Sequence, residues 1–361
     1  MRLISIDKVH FGHALHGNIF SVEGQCLFTA GTKLEPHALN KLTEMGYQTL
    51  VISDSQDSGV EGRPLVSEGL RLFAVKLMHK IFQSLRGKTD VATAPELDLK
   101  AIFEASNNIV DEVALGERRR IVDVLSVKSP EDYAAEHAVQ VAILSAFVGG
   151  RLGYNLMHLR DLVVGAILHD IGEAFVPSDT VNKKTKYTAD DSAKMQQHGV
   201  LGFRYLSRFS DIKATSRAAA IMHHERASGK GYPKALTGSQ IHQYSGIVGA
   251  CEIFDGMTSD RPYRKRQPSI VALGVLMSSK EPLFAPELRD IFSQLFAPFP
   301  IGTWVTLSDG RSGIVKTVPK ETPTRPDVKV IYDSLGQSAP SSTIQLSQSP
   351  DLRIAGIPDE F

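Results

Sequence analysis

Histidines and carboxylates recur along the middle of this chain at intervals that packed helices could gather. His137, His169, His198 and the pair His223–His224 come first, and Glu252 follows. The steps between them are 32, 29, 25 and 28 residues, the last counted from His224. A helix of a bundle with its connection takes about that length, so each helix can project one or two side chains toward a common centre. Neutral imidazole and carboxylate are the ligand set of iron, manganese or zinc. Such a set exceeds what one tetrahedral ion needs, which points to two metals.

The stretch "LHDIGEAFVP", residues 168 to 177, sets His169 beside Asp170 at the end of an apolar run. Adjacent residues in mid-helix diverge by about 100°, so both could meet one centre only where the helix stops. Gly172 is read as the point where the backbone turns. The same reasoning applies to His223–His224 at the end of "SRAAAIMHHE". A lone histidine at such a position is more often structural, so the joint pattern carries the metal reading. His10, His13 and His16 lack partner carboxylates and sit among turn signals, and they are read as structural.

These residues need helices to hold them. From Leu70 to Leu295, segments such as "GLRLFAVKLMHKIFQSL", "EHAVQVAILSAFVGGRLG", "HLRDLVVGAILHDIG", "DSAKMQQHGVLGFRYLSRF" and "SGIVGACEIFDGMTS" place apolar residues three and four apart. The expected architecture is mainly α. It comprises a small α/β unit over 1–53, a polar linker over 54–69, a helical bundle over 70–298 and a β-rich extension over 299–361. A hairpin turning at Glu23–Gly24, a short helix closed by Gly46 and a hairpin at Asp309–Gly310 are expected in the flanking units.

Composition narrows the partners. Lys plus Arg and Asp plus Glu both number 40, so no global field favours polymeric nucleic acid or an anionic membrane. Any anionic ligand must be held by a local cluster. Two cysteines form no spaced framework, no run approaches a membrane span, and the N-terminus is too polar for a signal peptide. A cytoplasmic protein is expected.

Six blocks, "HAVQV", "LHDIG", "VPSDTVNK", "MQQHGVLG", "HHERASGKGYP" and "IFDGMTSDRPYR", together resemble the HD-GYP family of bacterial cyclic di-GMP phosphodiesterases, a branch of the HD superfamily of metal-dependent phosphohydrolases. The resemblance covers roughly residues 130 to 270, with weaker likeness in both flanks. It implies metal ligation by His137, His169, Asp170, His198, His223 and His224, with Asp170 bridging two ions. Those ions would be iron, with manganese also admitted. Glu252 stands where the family usually has aspartate, and Tyr133 where three-metal members carry glutamate, so a two-metal centre is expected. Glu173 stands where the family has a lysine that contacts substrate phosphate. It is taken with Asp170 as a catalytic candidate that is neutralised by an arginine, takes a proton or joins the metal shell. Ser228 replaces an aspartate of the glycine-rich block.

The activity implied is hydrolysis of cyclic di-GMP to linear pGpG, and onward to GMP in some members. Two cations lower the pKa of a shared water and hold the resulting hydroxide against phosphorus. Arg261 and Arg264 would grip phosphate. Gly231 and Tyr232 would shape the pocket near guanine or ribose, and Asp255 would orient a ligand or Arg261 from behind. The alternatives are a slow or inactive domain that binds the nucleotide and signals through protein contacts, and hydrolysis of a different cyclic dinucleotide. A homodimer is compatible with either.

Overall fold

The computed structural model describes residues 1–10, 12–53, 64–116, 122, 127–129, 132–183, 185–261, 264–278, 280 and 282–358. The chain opens with β1 (Arg2–Ser5) and β2 (Ala14–Leu15), the hairpin of β3 (Ile19–Phe20) and β4 (Cys26–Phe28), helix α1 (Pro36–Glu44) and β5 (Thr49–Ser53). Strands β1, β5 and β2 form an antiparallel sheet in that order. The expected turns are present. Gly24 has φ +83° between β3 and β4, and after α1 Gly46 has φ +89°. The Tyr47 N–H then reaches back to the Leu42 carbonyl at 3.0 Å, an arrangement that left-handed glycine permits. Leu42 of α1 packs on Leu34, Leu50 and Ile52.

The helical part comprises α2 (Glu68–Leu85), α3 (Leu99–Leu115), α4 (Tyr133–Arg151), α5 (Leu156–Ile167), a 3-10 turn (Ile171–Phe175), α6 (Ser178–Val181), α7 (Ala189–Gln196), α8 (His198–Leu206), α9 (Ala214–Met222), α10 (Gln243–Thr258), α11 (Ser269–Leu276) and α12 (Pro286–Leu295). One apolar core runs through it from Val66 to Phe296. Helix α4 lies at its centre, packed on α2, α3, α5 and α10. Between Ala135 and Gly149 every residue except Gln140 is buried. Alanine, valine and isoleucine all round this helix, rather than along one stripe, suit a helix enclosed by others.

Helix α2 starts before Leu70 because the Ser67 hydroxyl caps it, accepting from the Leu70 N–H at 3.3 Å. Most of the expected linker, 54–63, lies outside the described residues. The segment "DSAKMQQHGVLGFRYLSRF" is two helices rather than one. Gln197 ends α7, and His198 begins α8.

After α12 come β6 (Trp304–Leu307), β7 (Ser312–Thr317), β8 (Asp327–Tyr332), β9 (Ser338–Gln345) and β10 (Ile354–Gly356), an antiparallel sheet in the order β10-β6-β7-β8-β9. Gly310, at φ +91°, turns β6 into β7 as expected. The two end units touch: Met1 packs with Trp304, Ile314 and Ile331, and Val51 lies against them. No helix of the described residues is long and apolar enough to cross a membrane.

Candidate metal centre

Five imidazoles converge on one carboxylate. Asp170 presents two oxygens, and each faces its own group of histidines. Its Oδ2 lies 3.1 Å from His169 Nε2 and 3.8 Å from His137 Nε2. Its Oδ1 lies 3.3 Å from His223 Nε2 and 3.4 Å from His198 Nε2. Donor atoms of His137, His169 and Asp170 fall within 4.8 Å of one another, as do those of Asp170, His198, His223 and His224. Asp170 belongs to both groups, so the residues fit two cations joined by one carboxylate.

The far sides of the rings decide which nitrogen is free. His169 Nδ1 bonds the Ala166 carbonyl at 2.7 Å, His198 Nδ1 the Met195 carbonyl at 2.7 Å, and His223 Nδ1 the Ala219 carbonyl at 2.8 Å. His137 Nδ1 bonds Asp255 Oδ2 at 2.5 Å. A carbonyl or carboxylate only accepts, so Nδ1 carries the hydrogen and Nε2 keeps a lone pair aimed at the centre. Nε2 of His169 is fully buried and makes no well-formed hydrogen bond, with Asp170 Oδ2 3.1 Å away. Buried polar atoms are seldom left so, and a ligand position accounts for it.

Electrostatics agree. Burial pushes His137 and His223 down to about 4 and His224 well below its ordinary value, so these rings are neutral donors at pH 7. Burial works against a charge on His169 as well, but the neighbouring Asp170 carboxylate overrides it and raises His169 to about 9. Without cations, a proton sits on His169 where positive charge is wanted.

Local folding explains the convergence. His169 and Asp170 follow the end of α5, and His223 and His224 follow the end of α9, so neither pair is bound to mid-helix directions. Gly172 has a different part from the expected one. It does not take the left-handed conformation that would mark a special turn. A Cβ there would lie 1.9 Å from the His198 carbonyl oxygen, so the glycine lets the 3-10 turn press against the start of α8. Gly249 of α10 serves His223 likewise, with a Cβ position 2.2 Å from its carbonyl oxygen.

The centre opens into a cleft of about 370 Å³. His137, Asp170, His198, His224, Glu173, Tyr232, Glu252 and Arg261 all reach its wall. Glu252 Oε2 is buried without a hydrogen bond, 3.7 Å from His224 Nδ1, and lies outside both ligand groups. Burial, then the charge of Asp170, push Glu173 and Glu252 up to about 7. Tyr232 stacks on His224 with centroids 4.5 Å apart. Arg261 Nε donates to the Tyr133 hydroxyl at 3.0 Å.

Two expected contacts are not brought to the cleft. Arg261 and Arg264 exchange backbone hydrogen bonds, and of the two only Arg261 lines the cleft. The exposed Arg264 instead donates to the Gly256 carbonyl. Gly231 packs on its own chain, because a Cβ there would lie 2.4 Å from the Arg226 nitrogen. Asp255 bonds His137 rather than Arg261. The N-terminal histidines form no ligand group among the described residues: His13 accepts from Arg2 and His16 bonds Ser53.

Sequence reasoning missed four residues. Buried Glu225 accepts from the Lys234 and Leu236 amides and so shapes the loop that carries Tyr232. Arg86 and Lys183 line the cleft, and Lys128 bonds Asp255. Only Glu225 gave a signal, as an acid beside the paired histidines.

Residues 121–288 match the family model described as an HD domain, and residues 304–360 match a KOW domain associated with HD domain. A cyclic di-GMP phosphodiesterase of Pseudomonas aeruginosa is 29% identical over 259 residues, 71% of this chain and 61% of that protein. One of Thermotoga maritima is 33% identical over 160 residues, 44% of each. A 3'3'-cGAMP-specific phosphodiesterase of Vibrio cholerae is 29% identical over 164 residues, 45% of this chain and 35% of that protein. The chain thus spans less than two thirds of the length of these relatives. A solved HDG"Y"P protein from Bdellovibrio bacteriovorus aligns with 81% of this chain and 99% of its own at 15% identity and a TM-score of 0.49.

Proposed function

We propose that this chain, which carries an HD domain over residues 121–288, is a phosphodiesterase that opens cyclic di-GMP to linear pGpG. The observation that carries the reading is the sharing of Asp170 between two histidine groups at the floor of one cleft. His137, His169 and Asp170 would hold one divalent cation, and Asp170, His198, His223 and His224 a second, with iron or manganese suited to the donors. When bound, such a pair lowers the pKa of water and neutralises charge developing on phosphoryl oxygens.

The remaining work falls to the chain's own groups. The ring of Tyr232, fixed against His224, offers a face for guanine. Arg261 and Arg86 bring positive charge to the wall, where Lys183 is already paired with Asp191, and a dianionic substrate needs such charge at the phosphate that is not cleaved. Glu173 holds its proton up to about 7 in the cation-free site, and in that form it adds no repulsion toward phosphate.

A second reading, binding without turnover, draws on the same residue. Ionised Glu173 would set a negative charge beside a phosphodiester, worth about 3 kcal/mol at 5 Å and an effective dielectric near 20 before screening. One experiment separates the readings: the chain, loaded with iron or manganese under reducing conditions, is incubated with cyclic di-GMP and, separately, with 3'3'-cGAMP. Formation of pGpG supports the first. Tight binding without product supports the second, and cleavage of 3'3'-cGAMP alone moves the substrate assignment.

A further inference from the structure

Lys128 precedes α4 and has no part in the reading above, yet it is only 8% exposed and its ammonium bonds Asp255 Oδ2. That same oxygen accepts from His137 Nδ1 at 2.5 Å. The other oxygen of Asp255 accepts from the Ser259 hydroxyl at 3.4 Å. The ammonium also lies 5.1 Å from the centre of the Tyr133 ring. That ring stacks on His137 and carries the Arg261 guanidinium 5.0 Å from its centre.

We propose that Lys128 is a positioning residue for the His137 side of the centre. It holds Asp255 where its carboxylate fixes the His137 ring with Nε2 toward Asp170. Stability alone is a poor reason to bury such a pair, because removing two charges from water costs about as much as their attraction returns. An orienting role behind a ligand is what carboxylates paired with histidines serve elsewhere.

The proposal rests on the metal reading of His137, and the test keeps the two apart. Manganese binding to the full chain is measured by equilibrium dialysis, with fold checked by circular dichroism. The wild-type chain should bind in two steps. Lys128→Met should weaken one step by roughly tenfold to a hundredfold and leave the other unchanged. Lys128→Arg should restore most of the loss. In an Asp255→Asn background Lys128→Met should add nothing further, since the two act as one unit. The double variant leaves no unpaired buried charge, so it keeps the test open where the single variant fails to fold. Unchanged binding by Lys128→Met, or losses that multiply in the double variant, would overturn the proposal while the metal reading stands. A wild-type chain that binds no manganese would overturn both.

Discussion

Asp170 is the residue on which most depends, because it serves both ligand groups while each histidine serves one. Asp170→Ala should therefore lower retained manganese by about two ions per chain, and His224→Ala by no more than about one. Equal losses by elemental analysis would mean that the groups do not share it. His169 gives a pH dependence. A cation and a proton compete for its Nε2, and the proton holds on up to about 9. Binding should tighten as pH rises toward that value and weaken as it falls. His137 and His223, at about 4, add nothing to this slope near neutrality. Calorimetry at about pH 8 in buffers of different ionisation enthalpy should show release of about one proton, and none released would contradict it. The sequence displayed the candidate metal ligands plainly, since their types and steps survive as letters. It hid Lys128 and the fate of Arg264, because both depend on where an irregular segment turns its side chains.

Between residues and the bundle stand the contacts that set ligand spacing. Glycine at 172 and 249 brings the 3-10 turn and α10 against the backbones of His198 and His223. Gly172→Ala should force these apart, costing about 1–3 kcal/mol or somewhat more and taking metal with it. Gly274→Ala on α11 is the matching control. It is exposed, nothing lies within 4 Å of its Cβ position, and it should stabilise by about 0.5–1 kcal/mol. Thermal melts of the two should move in opposite directions. The long helices were legible from their periodicity. The break at Gln197 was not, because that residue keeps right-handed helical dihedrals and carries no breaker type. Strand β9, in "SAPSSTIQ", was missed because its serines carry no alternation and it is defined by pairing with β8.

At the scale of the whole molecule, the cleft draws on chain outside the HD match. Arg86 closes α2, lies in the cleft wall and has no side-chain partner among the described residues. Arg86→Ala should raise KM for cyclic di-GMP roughly fivefold, the size of an exposed charge contact of about 1 kcal/mol, with kcat and metal content unchanged. A diester with a single phosphate should be cleaved equally by both proteins, and an equal loss there would place Arg86 at the reacting phosphate instead. The N-terminal unit reaches the backbone of a cleft residue, because Gln48 Nε2 donates to the Arg261 carbonyl at 3.0 Å. The packing of Met1 on Trp304, with the Arg2 guanidinium 5.3 Å from that ring, ties the first strand to the last sheet. A tensile load applied across the two ends would meet this small clasp before it reached the helices. The clasp would shear first, and the helical core with its histidines would bear force only after the flanks had swung apart.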